Sequence, residues 1–266
     1  MKPTNTGVYQ ATRKDNSIYY RSSITYKQKH ISLGSYDTWE DAHRAYTEAS
    51  LILRDHNRCI SDYHADQMLS FEKWVILINF RDNNIYFSTP IYMRSKYFLY
   101  YLSPTKELKF DIEDLFYYSS HKIMQRNGHL FVADYGMQVN ILNRYHIKNY
   151  GVKNKDYRFI NGDDTDFRYE NIEILNTYHG VSHVTVNGTT KYKARIHIRG
   201  NYVIGTYNTE IEAAIAYNKA IDILSSKGLK KNYSQNYIEG LLPSKYADIY
   251  SELPISTKIK NYTLPD

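Results

Sequence analysis

Residues 6–53 and a segment that starts at residue 179 are two copies of one pattern, and this duplication sets what the chain can fold into. Gly7-Val8 matches Gly180-Val181, and Tyr20 and Ile24 match Tyr192 and Ile196. Leu33-Gly34-Ser35-Tyr36-Asp37-Thr38 matches Ile204-Gly205-Thr206-Tyr207-Asn208-Thr209. Copies this far apart form two separate small domains and cannot be turns of a solenoid.

Each copy reads as three short strands followed by a helix. Tyr192 to Arg199 alternates apolar and cationic residues with period two, the pattern of a half-buried strand. Lys193, Arg195, His197 and Arg199 then share one face, and Tyr192, Ala194, Ile196 and Ile198 the other. In the first copy the corresponding outward face carries Arg21, Ser23, Thr25 and Lys27. The helices open on Thr38-Trp39-Glu40-Asp41 and Thr209-Glu210-Ile211-Glu212, both capping-box patterns. Ala42, Ala45, Tyr46, Ala49 and Leu53 fall on one helical face, as do Ala213, Ala216, Tyr217, Ala220 and Leu224. Alanine on that face lets the helix lie close to its sheet.

The charge follows the duplication. The net +6 of the chain divides into +3 over residues 1–54 and +5 over residues 179–232, against −1 in each of 55–178 and 233–266. The positive excess therefore sits on the two copies, and a cationic sheet face without a helix on it points to nucleic acid, because a small twisted sheet can enter the major groove. The 29 tyrosines are explained by AT-rich codon usage ahead of any single-strand stacking platform. The single cysteine, Cys59, allows no internal disulfide and fits a reducing compartment. The polar start Met1-Lys2-Pro3-Thr4 reads as no secretory signal, and the apolar run Trp74–Ile78 is too short to span a bilayer. The expectation is a soluble, cytoplasmic protein of a bacterial host cell with no membrane partner.

The run from Gly-Val through aromatic-x-Ala/Ser-x-Ile to Leu/Ile-Gly-Ser/Thr-Tyr-x-Thr and the alanine-rich helix resembles the Apetala-type (ethylene-response-factor) DNA-binding domain over about 48 residues of each copy. The resemblance implies a three-stranded antiparallel sheet on one helix, with the sheet reading the major groove. It places Tyr9, Ala11, Arg13, Arg21, Ser23, Thr25, His30 and Ser32 of the first copy on the DNA. In the second it places Ser182, Val184, Lys193, Arg195, His197, Asn201 and Val203 there. Arg21 and Arg195 are the candidates for bidentate contact with guanine. Lys27, Lys29, Lys193, Arg199 and Lys227 are the candidates for phosphate contact. Neither copy has tryptophan on these strands, so the family's base preference does not carry over.

Between the copies, the sequence predicts a hairpin (129–134 and 137–145), an irregular Asn/Asp/Gly loop and a short helix near 168–171. Asn161 to Asp166 lacks the closing glutamate of a calcium loop. His121, His129 and His146 match no metal-ligand spacing, and Asp163, Asp164 and Asp166 read more readily as a turn than as a magnesium site. Residues 57–118 read as core strands and a helix, with a dimerisation surface as the alternative. The tail predicts one short amphipathic helix near 241–250.

Leu142-Asn143-Arg144, Arg158-Phe159-Ile160-Asn161-Gly162-Asp163 and Asp166-Phe167-Arg168-Tyr169-Glu170-Asn171-Ile172 resemble the three motifs of HNH homing endonucleases. Arg144, Asn161, Gly162, Asp163, Asp166, Arg168 and Asn171 keep the frame. The positions that the family uses for chemistry are replaced: Asn143, Arg158, Phe159 and Phe167 stand there, and phenylalanine can neither accept a proton nor bind a cation.

The expected fold class is therefore α+β. Two small domains, each a three-stranded antiparallel sheet plus one helix (1–56 and 179–232), flank a central α+β domain (57–178) with a degenerate HNH (ββα) module at 119–178, and a tail comes last at 233–266. The expected function is sequence-specific binding of double-stranded DNA, as a transcriptional repressor or regulator derived from a homing endonuclease of a phage or mobile element. No catalytic residue, metal or cofactor is expected, and a homodimer through the central domain is the partner alternative. The rival reading is an active HNH-type homing endonuclease with a non-standard metal site.

Overall fold

Backbone alternation and helix capping build the same small unit twice. The computed structural model describes residues 7–263. In the first copy β1 (Val8–Thr12), β2 (Ile18–Tyr26) and β3 (Lys29–Tyr36) pair antiparallel in the order β1-β2-β3. Helix α1 (Trp39–Arg54) comes next, its first turn closed by the Thr38 hydroxyl, which accepts from the Asp41 amide. Ala42, Ala45 and Ala49 are fully buried, so the small side chains do bring α1 against the sheet.

Helix α2 (Phe71–Asn83) packs into the same core, where Ile31, Leu33, Ala45, Ala49 and Ile52 meet Trp74, Leu77 and Ile78. α2 is buried almost all round, which explains why its sequence reads as an apolar run and not as an amphipathic stripe. Its Arg81 is only 4% exposed. The guanidinium donates to the carbonyls of Ile52 (3.0 Å), Asp55 (2.6 Å) and Arg58 (2.8 Å), and its Nε pairs with Asp82 (2.6 Å). Arg81 thereby serves as a tertiary cap for the open carbonyl end of α1.

β4 (Ile91–Met93), β5 (Tyr97–Ser103) and β6 (Lys106–Asp111) form a second antiparallel sheet. Short α3 (Leu115–Ser120) leads to a third sheet of β7 (Ile123–Arg126), β8 (His129–Asp134) and β9 (Met137–Asn140). Phe98, Tyr100, Phe110 and Tyr118 are buried. Trp74 is fully buried as well, while Tyr97, Tyr101 and Leu102 of β5 are half-buried.

The chain divides into two compact units, Met1–Ile141 with Asp163–Asn171, and Leu142–Gly162 with Ile172–Asp266. The stretch expected as one central domain is therefore shared. Loop 163–171 is bonded to β6: Lys109 N donates to Thr165 O (2.9 Å) and Phe167 N to Lys109 O (2.7 Å). In the second unit β10 (Tyr157–Phe159) pairs with β11 (Ile172–Ile174). That pairing keeps residues on both sides of the loop with the second unit.

The second copy contains β12 (Val181–Val186), β13 (Thr189–His197) and β14 (Asn201–Tyr207), again antiparallel in chain order, and then α4 (Glu210–Ser226). Thr209 and Glu212 form the full reciprocal capping box. β13 begins three residues earlier than the alternation predicted and ends at His197, so Arg199 lies in the turn beyond it. α5 (Pro243–Glu252) realises the expected tail helix, and α6 (Thr257–Lys260) comes after it. Among the described residues no helix is long and apolar enough to cross a membrane.

Two details unite the copies. The register of the central strand slips at Ser22/Ser23 in one and at Ala194/Arg195 in the other. The glycine of each Gly-Val pair has positive φ (63° and 74°) and its C=O accepts from the residue after the slip: Ser23 N to Gly7 O and Arg195 N to Gly180 O, both 2.8 Å. A Cβ at Gly7 would lie 2.3 Å from Ser23 O and 2.4 Å from the Tyr46 ring; at Gly180 it would meet Tyr217 at 2.4 Å and Arg195 O at 2.5 Å. The motif therefore marks a place where only glycine fits.

Candidate nucleic-acid interface

Each central strand turns alternate side chains away from its helix, and those outward residues form a polar, cationic face. In the second sheet Arg195, His197 and Asn201 are exposed, with Lys193 and Ser182 half-buried beside them. Cross-strand pairing sets Ser182 opposite Lys193, Val203 opposite Arg195, and Asn201 opposite His197. Arg195 Nη2 donates to Ser182 Oγ (3.2 Å), which leaves most of its fork available. His197 Nδ1 and Asn201 Oδ1 are 3.2 Å apart. Val184 is half-buried and Val203 is exposed, so Val203 offers an apolar contact on the same face.

The first sheet is built alike but charged differently. Tyr9, Arg13, Arg21, Thr25, Lys27, Lys29, His30 and Ser32 are exposed, and Ala11 is half-buried. Thr25 Oγ1 and His30 Nδ1 are 3.3 Å apart, the counterpart of the His197–Asn201 pair with histidine on the other strand. Ser23 departs from the expectation: it is only 7% exposed, because the chain at Gly7 runs against it, and so it is no free contact residue. Register matches Ser23 to Arg195 and Arg21 to Lys193, so the two arginine candidates occupy different positions on their sheets.

Two outward residues are absent from the sequence-based set. Tyr19 sits two before Arg21 on β2, receives hydrogen bonds from Arg21 (3.0 and 2.7 Å), and has both Arg13 (5.2 Å) and Arg21 (5.5 Å) over its ring. Arg13 also pairs with Asp37 at 2.7 Å. Lys191 extends the period-two cation row of β13 and bonds Asn208. Both are legible as continuations of the alternation. Arg199 and Lys227 are exposed in turns beyond the strands.

Three of the four replaced nuclease positions, Arg158, Phe159 and Phe167, make cross-strand or packing contacts. Arg158 on β10 pairs with Glu173 on β11, its cross-strand partner. Phe159 is 7% exposed, while Phe167, at 4%, stacks on Phe110 with ring centroids 5.4 Å apart. Asn143 is exposed on a 3-10 turn over Ile141–Tyr145. The surviving frame residues fasten loop 163–171. Arg168 grips Asp166 through two bonds (2.9 and 2.7 Å), with Asp166 only 1% exposed. Asn171 Nδ2 donates to the carbonyls of Asp163 (3.2 Å) and Asp166 (2.8 Å). Asp163 Oδ1 accepts from the amide and hydroxyl of Thr165, an Asx turn. His121 Nδ1 lies 2.8 Å from Tyr117 O and its ring stacks on that of Tyr117, while His129 and His146 are exposed. Among the described residues no group of three or more His, Cys, Asp or Glu side chains is placed to hold a metal ion.

Burial raises the pKa of Asp166, but the hydrogen bonds and charge of Arg168 outweigh it and hold the carboxyl below its ordinary value. A depressed folded-state pKa contributes stability above the unfolded value, about 3.9, and loses it as pH falls through the folded one. Asp166→Asn should therefore cost about 1.5–3 kcal/mol at pH 7, the usual worth of hydrogen bonds to a charged group. Urea unfolding of both chains should show this gap closing below about pH 4. A gap that stays constant down to about pH 3 would remove the ion pair from the account.

No protein-family model, no curated protein and no solved structure matches this chain.

Proposed function

We propose that the protein binds double-stranded DNA sequence-specifically through its two three-stranded sheets, as a transcriptional repressor or regulator built on a homing-endonuclease frame. One observation carries this reading: the chain makes the same sheet-on-helix unit twice, and each sheet carries exposed cations on the face turned from its helix. A helix on the back of a three-stranded sheet is also the arrangement that the Apetala-type resemblance implies. Arg21 and Arg195 are the base-reading candidates, with Lys193, His197, Asn201, Thr25 and His30 beside them. The exposed lysines and turn arginines set position on the phosphates. The HNH-like segment acts as a structural connector, since its chemical positions carry phenylalanines in packed surroundings and an arginine in a cross-strand pair.

Because Ser23 stands where the second sheet has Arg195, the two faces read different sequences, and one chain should prefer a bipartite, non-palindromic site. Arg195→Ala should cost about 1–3 kcal/mol at one base pair of a selected site and relax preference there alone. Arg195→Lys should not restore it, because a point charge cannot reproduce the planar fork. Competition binding against single-base variants of the site reads this directly. Equal losses at every variant would deny Arg195 a reading role.

A further inference from the structure

The second unit contains a notch of about 250 Å³ that opens beside its sheet face. Arg195, His197 and Asn201 of the sheet line it. Tyr150, Lys155 and Asp156, from the Leu142–Gly162 segment of the same unit, line it as well. The floor is Gly180 against Tyr217, with His179 in edge-on contact with both Tyr150 (4.2 Å) and Tyr217 (5.2 Å). Drug-sized ligands occupy about 300–1,000 Å³, so this space suits something smaller.

Its net charge is positive, because Lys155 and Arg195 outnumber Asp156 among the lining residues. The Asp156 carboxylate is occupied by the Val152 amide (2.9 Å) and the Asn176 side chain (3.2 Å). Lys155 is exposed, and Arg195 gives one bond to Ser182, so two cations line the notch. The first sheet has no such pair, since Ser23 occupies the position of Arg195 and is buried.

We propose that this notch is a site for a sugar-linked phosphate, held by Lys155 with its sugar or base against Tyr150, while Arg195 adds positive charge to the notch and keeps its planar fork for the base it reads. The source is either a backbone phosphate of the bound DNA, in which case the inference rests on the DNA-binding reading, or a free nucleotide. In the first case the Leu142–Gly162 segment widens the interface beyond the sheet, and the second unit holds DNA more firmly than the first.

The test uses the full-length chain and Lys155→Ala, with Lys245→Ala on exposed α5 as a control for bulk charge. Binding to a selected DNA site is measured at several salt concentrations. A backbone phosphate in the notch makes Lys155→Ala weaken all sequences about equally and flatten the log–log salt slope by about 0.9, with Lys245→Ala unchanged. In a second arm AMP is titrated without DNA and the Gly180 and Ser182 amide signals are followed. Shifts in the wild type that Lys155→Ala abolishes support a free-nucleotide source, and they would stand even if the chain bound no DNA. Unchanged salt slopes together with amides indifferent to AMP would overturn the proposal and leave sheet-mediated DNA binding untouched.

Discussion

Replacing Arg81 by alanine should destabilise the first unit severely, at a cost of about 3–5 kcal/mol. The side chain is almost wholly buried and satisfies the main-chain carbonyls of Ile52 in the last turn of α1, of its cap residue Asp55 and of Arg58 beyond it, while pairing with Asp82. Removing it leaves those carbonyls and a carboxylate without their donor, and each unpaired buried group carries its own desolvation penalty. Against a total stability of about 5–15 kcal/mol, the loss is large. Arg81→Lys should recover only part of it, because an ammonium cannot reach three carbonyls in a planar fork. Urea unfolding of the three chains is the measurement. A loss under about 1 kcal/mol for the alanine chain would show that water replaces the guanidinium and that α1 needs no tertiary cap. Since α1 backs the first sheet, the same variant should also weaken the half of the DNA site that this sheet reads.

The second large effect is on affinity. Arg21 and Lys29 on the first sheet, Lys27 in the turn between β2 and β3, and Lys193, Arg195, Arg199, Lys227 and Lys155 in the second unit, give a supply of exposed or half-exposed cations. If about six to ten phosphates are neutralised, affinity should fall by about 10³–10⁵ between 50 and 200 mM salt, because each contact releases condensed counterions. Arg13, paired with Asp37, Lys27, bonded to Asn84, and Lys191, bonded to Asn208, should not add fully to that number without first giving up their partners.

The duplication, the strands, the alanine-faced helices and their threonine caps are all readable in the sequence, because hydrophobic period and capping act locally. The copies differ in length at the hairpin turns, where only the end pairs change: Val186↔Thr189 and Tyr26↔Lys29 each occur in one copy alone. Less legible is whatever depends on distant segments meeting. Ser23 keeps the outward parity of Arg21 and Thr25, yet the chain at Gly7 covers it. Arg81 sits in an apolar run with no pattern to announce that its partners are carbonyls 23–29 residues away. Lys155 reads as one more surface lysine, and only the folding of Leu142–Gly162 beside β12 in one unit sets it apart. The Asp163–Asn171 frame is recognisable by its motif, but its work, fastening a loop to β6, depends on bonds from Lys109 that no local pattern encodes.

One helix position shows how a duplicated unit adapts to its C-terminal neighbour. Glu48 on α1 accepts the amides of Met68 and Leu69, just ahead of α2. Lys219, its counterpart on α4, donates to the carbonyls of Tyr250, Ser251 and Leu253 at the end of α5. The charge is opposite because one segment presents donors and the other acceptors. Tyr36 and Tyr207 repeat the arrangement without a change of sign, donating to Met68 O and Pro254 O.

The central claim is tested most directly by the equilibrium affinity of the intact chain for its own selected DNA duplex across a range of about 50–200 mM salt. Two sheets with exposed cations predict a steep straight line of log affinity against log salt, with a slope of about −5 to −9. A slope near zero, or a selection that enriches no duplex, would contradict it.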